Sequence, residues 1–174
     1  MCDRDPITGD GLGSQPTLSR FENSVTRFQL LTLSTQLAEK IICQQQKRRR
    51  GKRRPKRIII DLDQTHDPTH GQQPMTFFNG YYDTWCYLPL IVTISFDKEC
   101  RKHPIVSVLR PGNAGAMAGT LAILKHLVPL IRKLFPSVRL YFRADGAYCN
   151  PDLLDWLEEK SIYCTHDLRT SRVI

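Results

Sequence analysis

Apolar and polar positions alternate in four different ways along the chain. Residues 1 to 18 are rich in Gly, Pro, Ser and Asp, show no period, and read as a flexible lead-in. From residue 19 to residue 46 the period is helical. Phe21, Val25, Phe28 and Leu31 recur at three- and four-residue steps, and Leu30, Leu33, Leu37 and Ile41 continue the apolar face. Asn23 and Ser24 offer caps for this helix, with a start at Ser19 as the alternative. Residues 47 to 57 dissolve the pattern into a basic connector. From residue 58 onward, short β-rich runs give way to strands separated by helices.

Ile58-Ile-Ile-Asp-Leu-Asp is a strand signal, because β-branched side chains suit a packed, pleated surface. A loop from Gln64 to Pro74 follows, broken by Pro68 and Gly71. Asn79-Gly80 between aromatic runs marks a hairpin or a bulge. Trp85 to Phe96 and Pro104 to Leu109 read as two further strands, with a polar turn between them. The spacing of Leu121, Leu124, Leu127, Val128, Ile131, Leu134 and Phe135 predicts a helix over 114–135, kinked or divided at Pro129. Val138 to Phe142 is a fourth strand. Asn150-Pro151 caps and starts a second helix, and Ser161 to Cys164 is a fifth, short strand.

The order β-β-β-α-β-α-β predicts an α/β fold: a mixed sheet with flanking helices in the element order of a ribonuclease-H-like domain, incomplete at its C-terminus. In that order the strand after the first helix pairs in parallel beside the first strand. Asp63 and Asp145 then meet at one edge of the sheet. Two carboxylates converging at strand ends suit a hard divalent cation, Mg²⁺ or Mn²⁺.

Charge sharpens this picture. The formal net charge of +8 is local: nine of the eleven residues from Lys47 to Arg57 are Lys or Arg, and without them the balance is −1. Lys47, Arg48, Arg49, Arg50, Lys52, Arg53, Arg54, Lys56 and Arg57 are the candidates for DNA phosphate contacts. A localisation signal and a solvated connector are the other readings. Because the run leads into the acidic strand, bound DNA backbone is expected near the metals. The six cysteines form no C-x-x-C pair, which argues against a zinc ribbon. The N-terminus is polar, and the longest apolar run is far short of the ~20 residues that span a bilayer. Reduced thiols and a cytoplasmic location are expected, without a membrane.

Several residues carry two readings. Asp61, Asp63 and Asp67 lie near one strand end, and alternation puts Asp61 and Asp63 on the same face, so one can support the other. Solvated acids at a strand end are the bland reading; Asp145, followed by Gly146, shifts the balance towards a site. His66 and His70 are metal candidates or ordinary loop histidines. Phe77, Phe78, Tyr81, Tyr82, Trp85 and Tyr87 are expected mostly to pack in the core or on a sheet face rather than stack on bases. Arg110 grips a phosphate or belongs to a turn.

Asp61-Leu-Asp-Gln-Thr-x-Asp-Pro-Thr-His-Gly-Gln-Gln, Phe77-Phe-Asn-Gly-Tyr-Tyr, Cys86-Tyr-Leu-Pro-Leu, Leu109-Arg-Pro-Gly-Asn and Arg143-Ala-Asp-Gly-Ala-Tyr, in this order, resemble bacterial insertion-sequence transposases of the DDE type. Leu18-Ser-Arg-Phe-Glu-Asn resembles the segment before their catalytic domain. The resemblance spans roughly residues 14 to 165. It implies a partial catalytic domain over 58–174, with Asp63 and Asp145 as the first two catalytic, metal-holding carboxylates. Asp61, Thr65 and Arg143 support them. It also implies two Mg²⁺ ions (Mn²⁺ as a substitute), insertion-element ends and target DNA as partners, a homodimer in the intact family, and a nucleoid-associated bacterial protein. The family's third carboxylate, a Glu on a later helix, and its N-terminal DNA-recognition region lie outside this chain, so neither Glu158 nor Glu159 is assigned. The expected function is therefore a transposase fragment for metal-dependent cleavage and strand transfer, inactive as it stands. The alternatives are a non-catalytic DNA-binding remnant that uses the basic segment, and a nuclease of the same fold needing a third acid within the chain.

Overall fold

The computed structural model of the protein describes residues 14–49, 51, 54–71 and 73–166. It divides into two compact units, one up to Leu33 and one from Ser34 onward. Helix α1 (Gln15–Ser24) reaches into the expected lead-in, with Ser14 at its N-cap position and Pro16 in its first turn. The expected single helix over 19–46 is in fact two. Helix α2 (Arg27–Arg48) starts at a capping box: the Thr26 hydroxyl accepts from the Gln29 amide, and the Gln29 side chain accepts from the Thr26 amide. Asn23 and Ser24 therefore end one helix rather than cap the next. The buried face of α2 is Ala38, Ile42 and Gln45, whereas Leu30, Leu33 and Leu37 are exposed. Of the expected apolar face, Ile41 is half-buried against the core.

The main sheet contains β1 (Arg57–Gln64), β5 (Leu90–Phe96), β6 (His103–Val108), β7 (Arg139–Ala144) and β8 (Ile162–His166) in the order β6-β5-β1-β7-β8. The pairs β1–β5 and β5–β6 are antiparallel; β1–β7 and β7–β8 are parallel. This is the ribonuclease-H-like order expected from the sequence. Helix α3 (Thr120–Leu134) and helix α4 (Pro151–Glu159) connect the parallel strands. Ile58, Ile60, Val92, Ile94, Leu140 and Phe142 from the sheet join Ile42, Leu124, Leu127, Ile131, Leu153 and Leu157 in one core. Burial alternates along β7 and most of β1 and β5, so one face of these strands is fully buried and the other half-buried.

The predicted strand from Trp85 to Phe96 is broken at Leu88-Pro89, since proline has no amide for a ladder. Its first part, β4 (Thr84–Tyr87), joins a separate three-stranded sheet with β2 (Asp67–Pro68) and β3 (Phe77–Asn79). Asn79-Gly80 does open a hairpin: the Asn79 side-chain oxygen accepts from the amides of Tyr81 and Tyr82, which shapes the turn. Gly112 holds this hairpin in place. A Cβ there would meet the Cys86 carbonyl oxygen at 2.2 Å and that of Phe77 at 2.5 Å, and the Gly112 carbonyl accepts from Asn79. Helix α3 begins at Thr120 rather than Ala114, and Pro129 lies inside it without dividing it. Asn150 caps α4 as expected, accepting from the Leu153 amide.

Gly112→Ala is expected to lower stability by about 1–3 kcal/mol, since the obstructing atoms are backbone. Gly115→Ala, whose new Cβ meets nothing within 4 Å, should be near neutral. Urea melts of both variants check the contrast.

Candidate metal site and nucleic-acid surface

The site is built by the β1–β7 ladder. Arg57 lies opposite Arg139 and Asp61 opposite Arg143, so the two strands run at a constant offset. Continued by two residues, that register sets Asp63, in β1, beside Asp145, the first residue past β7. Both carboxylates are exposed. Asp145 turns the chain as well: its Oδ1 accepts from the Ala147 amide and caps the short 3-10 turn Gly146–Tyr148.

Asp61 has a different environment. Its side chain is 9% exposed, and both of its carboxylate oxygens accept from the Arg143 guanidinium, from Nε and, at 3.0 Å, from Nη2. Lys102 stands 3.8 Å away. Alternation thus puts Asp61 and Asp63 on one face, as expected, but one acid is spent on an ion pair and the other is open. Lys102 was not legible as a member of this group, because it follows a different strand and no motif contains it.

Two tyrosines sense the open acids. Tyr148 is fully buried, and its hydroxyl has no partner in hydrogen-bonding geometry among the described residues. Burial pushes its phenol up to about 12; Asp145 and Asp63 add to the rise, and the Arg110 guanidinium opposes it. Tyr82 is raised too, by burial, then by Tyr81, Asp145 and Asp63. The fields of both carboxylates therefore overlap at these two hydroxyls. An open pair of hard oxygen donors fits a hydrated Mg²⁺ or Mn²⁺. Among the described residues, no three His, Cys, Asp or Glu side chains converge. His66 instead stacks on Tyr82, with ring centroids 4.4 Å apart, and His70 is an exposed loop residue. Thr65 is exposed, and its amide donates to the Pro89 carbonyl just past β1.

Three members of the expected phosphate-binding set have partners within the chain. Arg110 is 5% exposed: it donates to the carbonyls of Leu88, Gly115, Ala116 and Ala118 and to the Gln64 side chain. It ties the loop before α3 to the end of β1, and no donor face remains for DNA. Arg49 makes a bidentate pair with Glu99 and lies 3.8 Å over the Phe96 ring. Arg57 is half-buried and donates to the Asp97 carbonyl. Lys47, Arg48, Arg54 and Lys56 are exposed. The predictions for Arg50, Lys52 and Arg53 fall outside the described residues.

Adjacency in sequence also misleads. The basic run enters β1 at Arg57, whereas Asp63 lies at the other end of that strand. Six residues of strand span ~20 Å, at ~3.3 Å each. A single phosphate group cannot touch both. Of the six aromatics, Phe77, Phe78, Tyr81 and Trp85 are exposed rather than in the core, and Phe78 and Trp85 pack edge to face across the small sheet.

Among solved structures, a Mos1 transposase paired-end complex with left transposon end is similar at 16% identity and a TM-score of 0.40, over 75% of this chain and 41% of that one. A pre-cleavage Mos1 transpososome is similar at 12% identity and a TM-score of 0.38, over 75% and 42% respectively. The chain thus spans about two-fifths of the length of these transposase chains. No curated protein matches it. The family model described as "Transposase DDE domain group 1" matches residues 1–174. That match over the whole sequence, on a sheet whose two open acids lie at neighbouring strand ends, makes the chain a member of the transposase DDE domain family.

Proposed function

We propose that the chain is the part of an insertion-element transposase that contributes the first two metal-holding carboxylates for DNA cleavage and strand transfer. The juxtaposition of Asp63 and Asp145 by the β1–β7 register carries this reading. A divalent metal held there would supply activation of a water or a DNA 3′-hydroxyl and would offset charge on the scissile phosphate. The residues of the chain itself have simpler tasks. Asp63 and Asp145 hold the metal. Arg143 keeps Asp61 paired and out of the ligand set. Arg110, by tying Gln64 to the loop before α3, fixes the end of β1. Lys47, Arg48, Arg54 and Lys56 hold DNA backbone at a distance from the acids, with Arg50, Lys52 and Arg53 of the same run.

Among the described residues a third carboxylate does not join the pair. Two open acids hold a divalent ion loosely, so this chain by itself neither cuts nor joins DNA. The second reading, a DNA-binding remnant, is favoured by one observation: the exposed basic residues are remote from the acids.

A strand-transfer assay on insertion-element ends with Mg²⁺ should give no product; product that Asp63→Ala abolishes would overturn the inactivity. In Mn²⁺ binding followed by electron paramagnetic resonance, Asp63→Asn and Asp145→Asn should each lose the bound ion, while Asp61→Asn should keep it. Loss with Asp61→Asn alone would assign the ligand to the wrong acid. DNA affinity should fall as salt rises. Replacing Lys47, Arg48, Arg54 and Lys56 by Gln should lower the log–log slope by roughly 1 for each phosphate that is no longer neutralised. Salt-dependent binding that survives Asp63→Ala and Asp145→Ala, with no Mg²⁺ dependence, would support the remnant.

A further inference from the structure

The β3–β4 hairpin exposes four aromatic side chains that the metal site does not use. Phe77 is 41% exposed, Phe78 50%, Trp85 57% and Tyr81 87%. Side chains of this size are normally what a fold buries. The hairpin is also fixed in place, through the close approach of Gly112, the Asn79 bond to its carbonyl, and the Asn79-capped turn. Phe78 and Trp85 are cross-strand partners, and their rings meet edge to face at 6.2 Å. They therefore share one outward face.

The turn links this face to the acids. Tyr81 packs edge-on against Tyr82 at 4.9 Å, and Tyr82 stacks on His66. Tyr82 in turn lies within the fields of Asp145 and Asp63. Whatever covers the rings thus shares an edge with whatever the carboxylates hold.

Charge narrows the occupant. From Ile58 through Asp97 the sequence contains no Lys or Arg, and the small sheet and its turn carry the exposed acids Asp67 and Asp83. A phosphate backbone laid across these rings would be repelled. An uncharged nucleobase would not be, and its flat face matches an aromatic ring.

We propose that Phe78 and Trp85, with Tyr81 at the turn, form a stacking platform for unpaired bases of the DNA strand whose backbone passes the Asp63–Asp145 pair. The proposal rests on the DNA-processing reading above. One molecule then satisfies both surfaces, with its phosphate at the acids and its bases on the rings. Binding to the platform is carried by ring faces rather than by counterion release, so its contribution is nearly independent of salt.

The test uses the full chain in EDTA and fluorescein-labelled oligothymidylate, with a blunt duplex for comparison. Phe78→Ala with Trp85→Ala should weaken single-strand binding about ten-fold or more, by a similar factor at low and high salt, and leave duplex binding unchanged. Trp85→Phe should restore most of the affinity. Tyr81→Ala, at the most exposed ring, is a milder variant that should weaken single-strand binding in the same direction. Emission from Trp156, which is 8% exposed, reports whether each variant is folded. Equal single-strand affinity in folded variants would overturn the platform. So would a wild-type dimer, seen by sedimentation, that falls apart when these rings are removed. Failure of the metal reading would leave EDTA binding intact, whereas failure of the platform would leave Asp63-dependent Mn²⁺ binding intact.

Discussion

The parallel ladder between β1 and β7 is the constraint on which the rest of the molecule depends. Five strands and a helix lie between them in the chain, yet the site exists only if they pair in one register. A one-residue slip would turn every side chain of a strand to the opposite face. Two features select the register. One is the apolar run through Ile58 and Ile60 against Leu140 and Phe142, all fully buried. The other is the Asp61–Arg143 pair, which forms across the ladder where the two residues face each other. Any other register would leave Asp61 in the sheet without its guanidinium, and an unpaired buried charge costs roughly 3–5 kcal/mol. The ion pair that occupies Asp61 thus spans the same ladder whose register sets Asp63 beside Asp145.

The order and direction of the main strands could be read from the sequence because they rest on local signals: apolar runs, proline and glycine breaks, and one helix between each later pair of strands. The approach of Asp63 to Asp145 followed from that order alone. What could not be read were the packing partners. Arg110 and an exposed phosphate-binding arginine are written with the same letter. Only the fold shows that five acceptors surround Arg110. Arg49 is similar, since Glu99 lies fifty residues away. Ala38, Ile42 and Gln45 do not outcompete Leu30, Leu33 and Leu37 on hydrophobicity, yet they are the face of α2 that is buried. The aromatic hairpin escaped for the same reason: residue type predicts burial only where another layer exists to cover it.

The described residues thus separate three kinds of surface. Open carboxylates sit at the C-terminal edge of the central strands. Exposed cations are concentrated before β1. Flat, uncharged rings lie on a small sheet braced by Gly112. Each kind depends on a different element, so substitutions in one need not disturb the others. Tyr82 and His66 are where two of these surfaces touch.

The length of β1 has a geometric meaning for a double helix. Its ~20 Å from Arg57 to Asp63 equals about six base-pair steps at ~3.4 Å, a little over half of a turn of ~10 base pairs. For a straight duplex lying parallel to this strand, a phosphate gripped at one end and a phosphate held at the other would therefore point to nearly opposite sides. The two ends of the strand could not hold the same backbone along one face. They would either take opposite strands of the duplex, or require the helix to be bent or opened between them. An eight-residue strand thereby sets the phase at which a duplex lying along it would present its two backbones.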